Sequence, residues 1–178
     1  PCKRAGGNGR LSATPSKNGT TEMAGIQVGD RAPDFDLKNQ QGERVALQDF
    51  RGKSVVVLFF YPRDNTPVCT RVAFRDAYEQ FVDAGAVVIG VSSDSDASHS
   101  AFAAKHRLPF HLVSDPSGTL RQAFGVRKAL GFLPGRVTYV IDRDGVVRLV
   151  FQKQLQGPQH VSEALSAVKS LVSKAESP

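Results

Sequence analysis

The sequence predicts an α/β chain with a central mixed β-sheet, parallel in its first half and antiparallel at its end, and helices on both faces. Three observations carry that expectation. Residues 55–60 and 86–91 are unbroken apolar runs rich in valine, the pattern of strands buried on both faces. Between them Phe74, Ala77, Tyr78 and Phe81 recur at i, i+3, i+4 and i+7, one face of a helix, so the three pieces form a right-handed βαβ unit with parallel strands. Further on, runs at 137–141 and 146–151 meet through Asp144-Gly145, a strong hairpin signal.

Residues 1–25 are mostly Gly, Ser, Thr, Asn, Lys and Arg and have too few apolar side chains to pack, so they are expected to be a flexible basic tail. Their basic, hydroxyl-rich, acid-poor composition is that of a transit-peptide remnant, and equally that of a cloning scar. The first residue is Pro1 rather than Met, so either something has been removed or the sequence is partial. Residues 26–178 are expected to form one domain, a size that supports an ordinary core. In it, 35–37 and 45–47 flank Asn39-Gln40-Gln41-Gly42 and read as a small hairpin. The strands at 55–60 and 86–91 and the helix between them come next. A helix over 96–106 follows, with Ser95 or Asp94 as its cap. A strand is expected near 110–113. A short helix carrying Leu120, Ala123 and Phe124 stops at Gly125, where a left-handed closing residue is wanted. After the hairpin, Val161, Ala164, Leu165, Val168 and Leu171 mark an amphipathic helix.

Composition removes several classes of function. The net charge is +6, and half of it lies in residues 1–25, where Lys3, Arg4, Arg10 and Lys17 face only Glu22. The rest is spread along the domain without a basic block, so no folded nucleic-acid face is expected. No apolar run is long enough for a membrane span. Two cysteines, Cys2 and Cys69, cannot build a disulfide framework or a cysteine-rich zinc site. His99, His106, His111 and His160 show no metal-ligand spacing and are expected at the surface. Asp94-Ser95-Asp96 is better explained as a helix cap than as a calcium loop, and no glycine-rich phosphate loop occurs.

Cys69 is the best candidate for chemistry. A buried strand ends near Tyr61, a loop follows, and a helix is expected from about Pro67, a residue suited to a first turn. Cys69 then opens a helix just beyond the carboxyl end of a central parallel strand, where open α/β sheets place their ligands. The free N–H groups and dipole of a helix start favour an anion and so lower a thiol's pKa. An inert buried cysteine is the competing account, and position alone does not choose between them.

The surrounding residues supply the choice. Pro62-x-x-x-Thr66-x-x-Cys69 resembles the active-site signature of peroxiredoxins, and FYPRDNTPVCT at 60–70 resembles the peroxiredoxin Q group, also called bacterioferritin comigratory protein. Agreement continues through Phe74-Arg75-Asp76, Val88-Ile89-Gly90-Val91-Ser92, Leu108-Pro109-Phe110, Ser114-Asp115-Pro116-Ser117-Gly118 and the run from Leu133 to Ile141. It covers about residues 26–175, in order. The resemblance implies a thioredoxin-like fold and a thiol-dependent peroxidase for hydrogen peroxide and organic hydroperoxides, without metal, haem or flavin. It implies Cys69 as the peroxidatic cysteine, Thr66 as hydrogen-bond partner of thiolate and peroxide, Pro62 as a wall of the pocket, and Arg136 as the active-site guanidinium. It also implies a monomer, while the transit-like composition of the tail points to a chloroplast or other plastid, the cytoplasm being the alternative. Thioredoxin, glutaredoxin or glutathione would be the external reductant. The rival reading is a thioredoxin-fold redox sensor or interaction protein with low peroxidase activity.

Two departures from the group stand out. Many members carry a resolving cysteine five positions after the peroxidatic one or on the next helix, yet 70–83 and 94–107 contain none. Cys2, in the tail, is the only other thiol. The Phe of the FRD string lies seven residues after the cysteine in the group and five here. At about 100° per residue this turns the two positions about 140° apart rather than about 20°. Either the first turn is remodelled, or the peroxidase is crippled, or two residues are missing from the sequence; the last is the preferred expectation.

Overall fold

The computed structural model describes residues 25–64, 69–128, 135–154 and 156–175, with only the backbone for 69, 70 and 175. Apart from Gly25, the tail expected over 1–25 lies outside the described residues, as does Cys2.

A two-stranded hairpin comes first, β1 (Asp36–Lys38) against β2 (Arg44–Ala46), with Leu37 opposite Val45. Buried Asn39 makes its turn, because its side-chain carbonyl accepts the N–H groups of Gln41 and Glu43, both at 2.9 Å. The main sheet contains β3 (Val55–Phe60), β4 (Ala86–Ser92), β5 (His111–Ser114), β6 (Val137–Ile141) and β7 (Val147–Gln152), in the spatial order β5-β4-β3-β6-β7. β3 is central. It runs parallel to β4, which is parallel to β5, and antiparallel to β6, which pairs antiparallel with β7.

All six β3 side chains are buried, as the unbroken apolar run requires. Alternation sends Val55, Val57 and Phe59 to one face and Val56, Leu58 and Phe60 to the other. The first face is covered by α1 (Cys69–Asp76), α2 (Tyr78–Asp83), α3 (Asp96–His106) and α5 (Gly157–Ala175). The second is covered by the hairpin, a 3-10 turn at Leu47–Phe50 and α4 (Thr119–Ala123). Helices thus lie on both faces, in unequal number. Among the described residues no helix is long and apolar enough to cross a membrane.

Local signals placed the ends well. Ser95 caps α3 by accepting the Ser98 N–H at 3.2 Å, and Gly125 takes φ 65° just after α4. The single helix expected through Phe74, Ala77, Tyr78 and Phe81 is instead two. Ala77 leaves helical geometry at φ −98°, ψ 2°, and Tyr78 is only half-buried. The bend leaves both phenylalanines on the sheet: Phe74 stacks on Phe59 with ring centroids 4.4 Å apart, and Phe81 packs behind it at 5.7 Å. Gly90 is required by contact rather than by φ. A Cβ there would lie 2.8 Å from Phe59 Cζ and 2.9 Å from Leu112 Cδ2.

Candidate active site

The site is built at the carboxyl end of β3. Tyr61 continues the strand, donating its N–H to the Val91 carbonyl at 3.0 Å, and Pro62 after it is buried. Cys69 opens α1, so the expected position at a helix start beyond a central strand is the observed one. The Cys69 side chain and all of Thr66 lie outside the described residues. α1 runs without a break from Cys69 past Phe74, so the short spacing between them falls within one helix. The alternative expectation, a stretched loop from 63 to 68, falls largely outside the described residues.

Arg136 arrives from the other direction. The antiparallel ladder ends with Phe60 opposite Val137, so Tyr61 and Arg136 are the next residues on each strand. Its backbone N–H donates to Gln154 Oε1 at 3.1 Å. Its charge is felt at Arg71 on α1, whose guanidinium is pushed below the ordinary arginine value, mainly by burial and partly by Arg136. The structure therefore brings Pro62, Arg136 and the backbone of Cys69 to one end of the sheet.

Three parts of this region were not read from the sequence. The first is Asp64, 1% exposed, whose carboxylate accepts from Tyr61 Oη at 2.8 Å, Ser98 Oγ at 2.8 Å and His99 Nδ1 at 2.9 Å. Burial pushes this carboxyl up, but the hydrogen bond and charge of His99, with the Ser98 and Tyr61 bonds, outweigh it and leave the pKa below the usual value. Its backbone N–H donates to Asp94 Oδ2 at 2.8 Å, tying the loop after β3 to the loop after β4. Burial, then the nearby Asp64 charge, push the Tyr61 phenol well up, so it stays a donor.

The second is Arg71, 2% exposed, which donates to the carbonyls of Arg63 at 2.5 Å and Asp64 at 2.7 Å. Its guanidinium carbon lies 4.7 Å from the Tyr61 ring centroid and 4.4 Å from that of Phe102. The third is Arg121 on α4, which donates to the carbonyls of Tyr61 and Gly135, both at 2.8 Å. Two guanidinia thus hold three carbonyls of the segment that leads from β3 towards Cys69.

The expectation of surface histidines is corrected here. His99 and His160 are fully buried, and His106 and His111 are partly covered. His99 sits on the same stripe of α3 as Phe102 and Ala103, and His160 on the same stripe of α5 as Ala164 and Val168, and that periodicity was readable. His160 links α5 to the strand after Arg136, with Nδ1 2.8 Å from Thr138 Oγ1 and Nε2 2.7 Å from the Lys153 carbonyl. Burial first, and the Arg136 charge as a smaller cause, lower its pKa against the Lys153 hydrogen bond.

A helix start carrying the buried Arg71 guanidinium, with half-buried Arg136 at the same end of the sheet, is an environment for negative charge. It favours a thiolate over a thiol and can stabilise charge on a leaving oxygen.

Comparison with known proteins agrees with this chemistry. Residues 28–150 match the AhpC/TSA family. The chain is 50% identical over 152 residues to chloroplastic peroxiredoxin Q of Sedum lineare, covering 84% of this chain and 81% of that one. Peroxiredoxin Q of Arabidopsis thaliana, also chloroplastic, is 50% identical over 151 residues, 83% of this chain and 69% of the relative. Among solved structures, peroxidoxin BcpB of Mycobacterium tuberculosis superposes with TM-score 0.74 at 35% identity, covering 82% of this chain and 98% of that one. A cysteine-to-serine mutant of Xylella fastidiosa PrxQ gives TM-score 0.74 at 30% identity, with 83% and 98% covered.

Proposed function

This chain belongs to the AhpC/TSA family and is a thiol-dependent peroxidase of the peroxiredoxin Q kind with a thioredoxin-like fold, and from that premise we propose that Cys69 is its peroxidatic thiol. The observation that carries the assignment is the position of Cys69 as first residue of α1 at the carboxyl end of β3, with Arg136 entering β6 one step beyond the last pair of the β3–β6 ladder. In the reaction the thiolate attacks one peroxide oxygen. The O–O bond breaks, the other oxygen leaves as hydroxide or alkoxide and takes up a proton, and Cys69 becomes a sulfenic acid. Arg136 and the helix start favour the thiolate and the charge on the departing oxygen. Thr66 accepts from the peroxide while donating to the thiolate, and Pro62 walls the pocket.

An external thiol then attacks the sulfenic acid, releasing water and leaving a mixed disulfide. A second thiol displaces Cys69 and restores it. Thioredoxin is the proposed reductant, with glutaredoxin or glutathione as alternatives, and the working unit is proposed to be a monomer. The plastid is its compartment, as for the chloroplastic relatives. Peroxide consumption with excess dithiothreitol, wild type against Cys69→Ser, tests the assignment. Consumption by the wild type alone supports it, and equal consumption by both removes Cys69 from the reaction.

A further inference from the structure

Arg121 belongs to α4, on the sheet face opposite α1, and was not among the residues expected at the site. Its guanidinium lies 5.5 Å from the Phe60 ring centroid and serves two carbonyls that are far apart in the chain. Nη2 donates to Tyr61, where the segment towards Cys69 begins, and Nη1 donates to Gly135, the residue before Arg136. The β3–β6 ladder has already ended at Phe60 and Val137, so at this level the guanidinium does what a ladder bond does lower down. Both ends of the bridge are held. Asp115 accepts the N–H groups of Leu120 at 3.2 Å and Arg121 at 2.9 Å, which fixes the start of α4. Gly135 packs so closely that a Cβ would fall 2.1 Å from the Arg127 carbonyl oxygen.

We propose that Arg121 is a positioning residue for the peroxidase reaction: by bridging the Tyr61 and Gly135 carbonyls it sets the distance between the Cys69 segment and Arg136. The inference rests on the assignment of Cys69 and Arg136 to the site. A planar guanidinium presents two donors at fixed separation, which an ammonium does not, so the bridge needs arginine in particular. Displacements of about 1 Å in a reacting group can cost about a hundredfold in rate, so loss of the bridge reaches the chemistry without touching substrate.

The test measures the second-order rate of Cys69 oxidation by hydrogen peroxide in the wild type, Arg121→Met, Arg136→Met and the double variant. Alkylation by iodoacetamide, at a pH where the thiol is fully ionised, is the control for a thiol that has simply become buried or unfolded. Arg121→Met is expected to slow peroxide oxidation about tenfold to a hundredfold in the wild-type background, with alkylation within about threefold of wild type. In the Arg136→Met background it is expected to add about twofold or less, since a residue acting through Arg136 then has nothing left to position. An equal fall in both backgrounds, a parallel fall in alkylation, or no fall at all overturns the proposal. If Arg121→Met fails to fold, Arg121→Lys decides: a folded lysine variant slowed by about tenfold supports the bridge, and one at wild-type speed overturns it. Wild-type speed in Arg136→Met alone overturns the assignment of Arg136, which separates failure of the site from failure of the bridge.

Discussion

The Asp64 carboxylate and the His99 imidazole meet at 2.9 Å where neither reaches solvent, their side chains being 1% and 0% exposed. This pair joins the segment after β3 to α3, and through Tyr61 and Ser98 it fixes both ends of that joint. Removing one partner of such a pair strands the others in a dry place, which costs more than the pair contributes when intact.

Asp64→Ala should therefore lose about 3–5 kcal/mol of stability. The carboxyl is held below its ordinary 3.8, so its contribution is fully present above that value and disappears as pH falls through the lower folded value. Urea midpoints measured from about pH 6 down to about pH 2.5 should show an acid limb that is smaller in Asp64→Asn. Identical limbs in the two proteins would remove the Asp64 charge from the fold's acid sensitivity.

Arg136 should be visible in the ionisation of Cys69. Thiols at helix starts beside cations fall from about 8.5 into the range of about 3.5 to 7.5. Alkylation rate against pH should give a midpoint in that range for the wild type and a higher one for Arg136→Met. A midpoint that does not move places Arg136 away from the thiol.

Thr66 is expected to act through its hydroxyl. Thr66→Ser should keep most of the peroxidase rate, and Thr66→Val should lose about a hundredfold, the usual cost of one transition-state donor. Equal rates in all three proteins would refute the role.

Oxidation of the chain as written should stop at the sulfenic acid or go on to mixed disulfides and over-oxidised forms. One equivalent of peroxide, a sulfenic-acid trap and intact mass would read the products. Rapid formation of a Cys2–Cys69 disulfide within one chain would make the tail a resolving arm. The same spectrum tests the preferred reading of the short spacing: an unmodified mass equal to the printed sequence, with full activity, excludes a missing residue pair.

Gly90→Ala should cost about 1–3 kcal/mol by overpacking, because the new methyl meets Phe59 and Leu112. A thermal midpoint equal to that of the wild type would mean that the two side chains yield freely.

What could be read beforehand was whatever short-range patterning decides. The apolar run of β3, the Asp144-Gly145 turn, the Ser95 cap and the Gly125 stop each declare themselves within a few residues. Cys69 and Arg136 needed more, the ordered set of strings shared with the peroxiredoxin Q group. Arg121 escaped because its partner Tyr61 lies 60 residues away and a single arginine on a short helix reads as solvated. Arg71 escaped likewise, since nothing nearby in sequence announces two aromatic faces around it. The break at Ala77 was hidden by good helical periodicity, which records the buried face and not the continuity of the axis.

The antiparallel pairing of β3 with β6 also governs the protein while it is being made. Synthesis runs from the amino end, so β3, Cys69, β4 and β5 exist while Arg136 and β6 are still to come. During that interval β3 is an edge strand with one row of N–H and C=O groups unpaired. In the site proposed above, the nascent thiol then lacks its guanidinium and has only the helix start to favour the thiolate. The reactivity that the proposed site draws from Arg136 thus arrives only with β6, the strand that ends the exposure of the β3 edge.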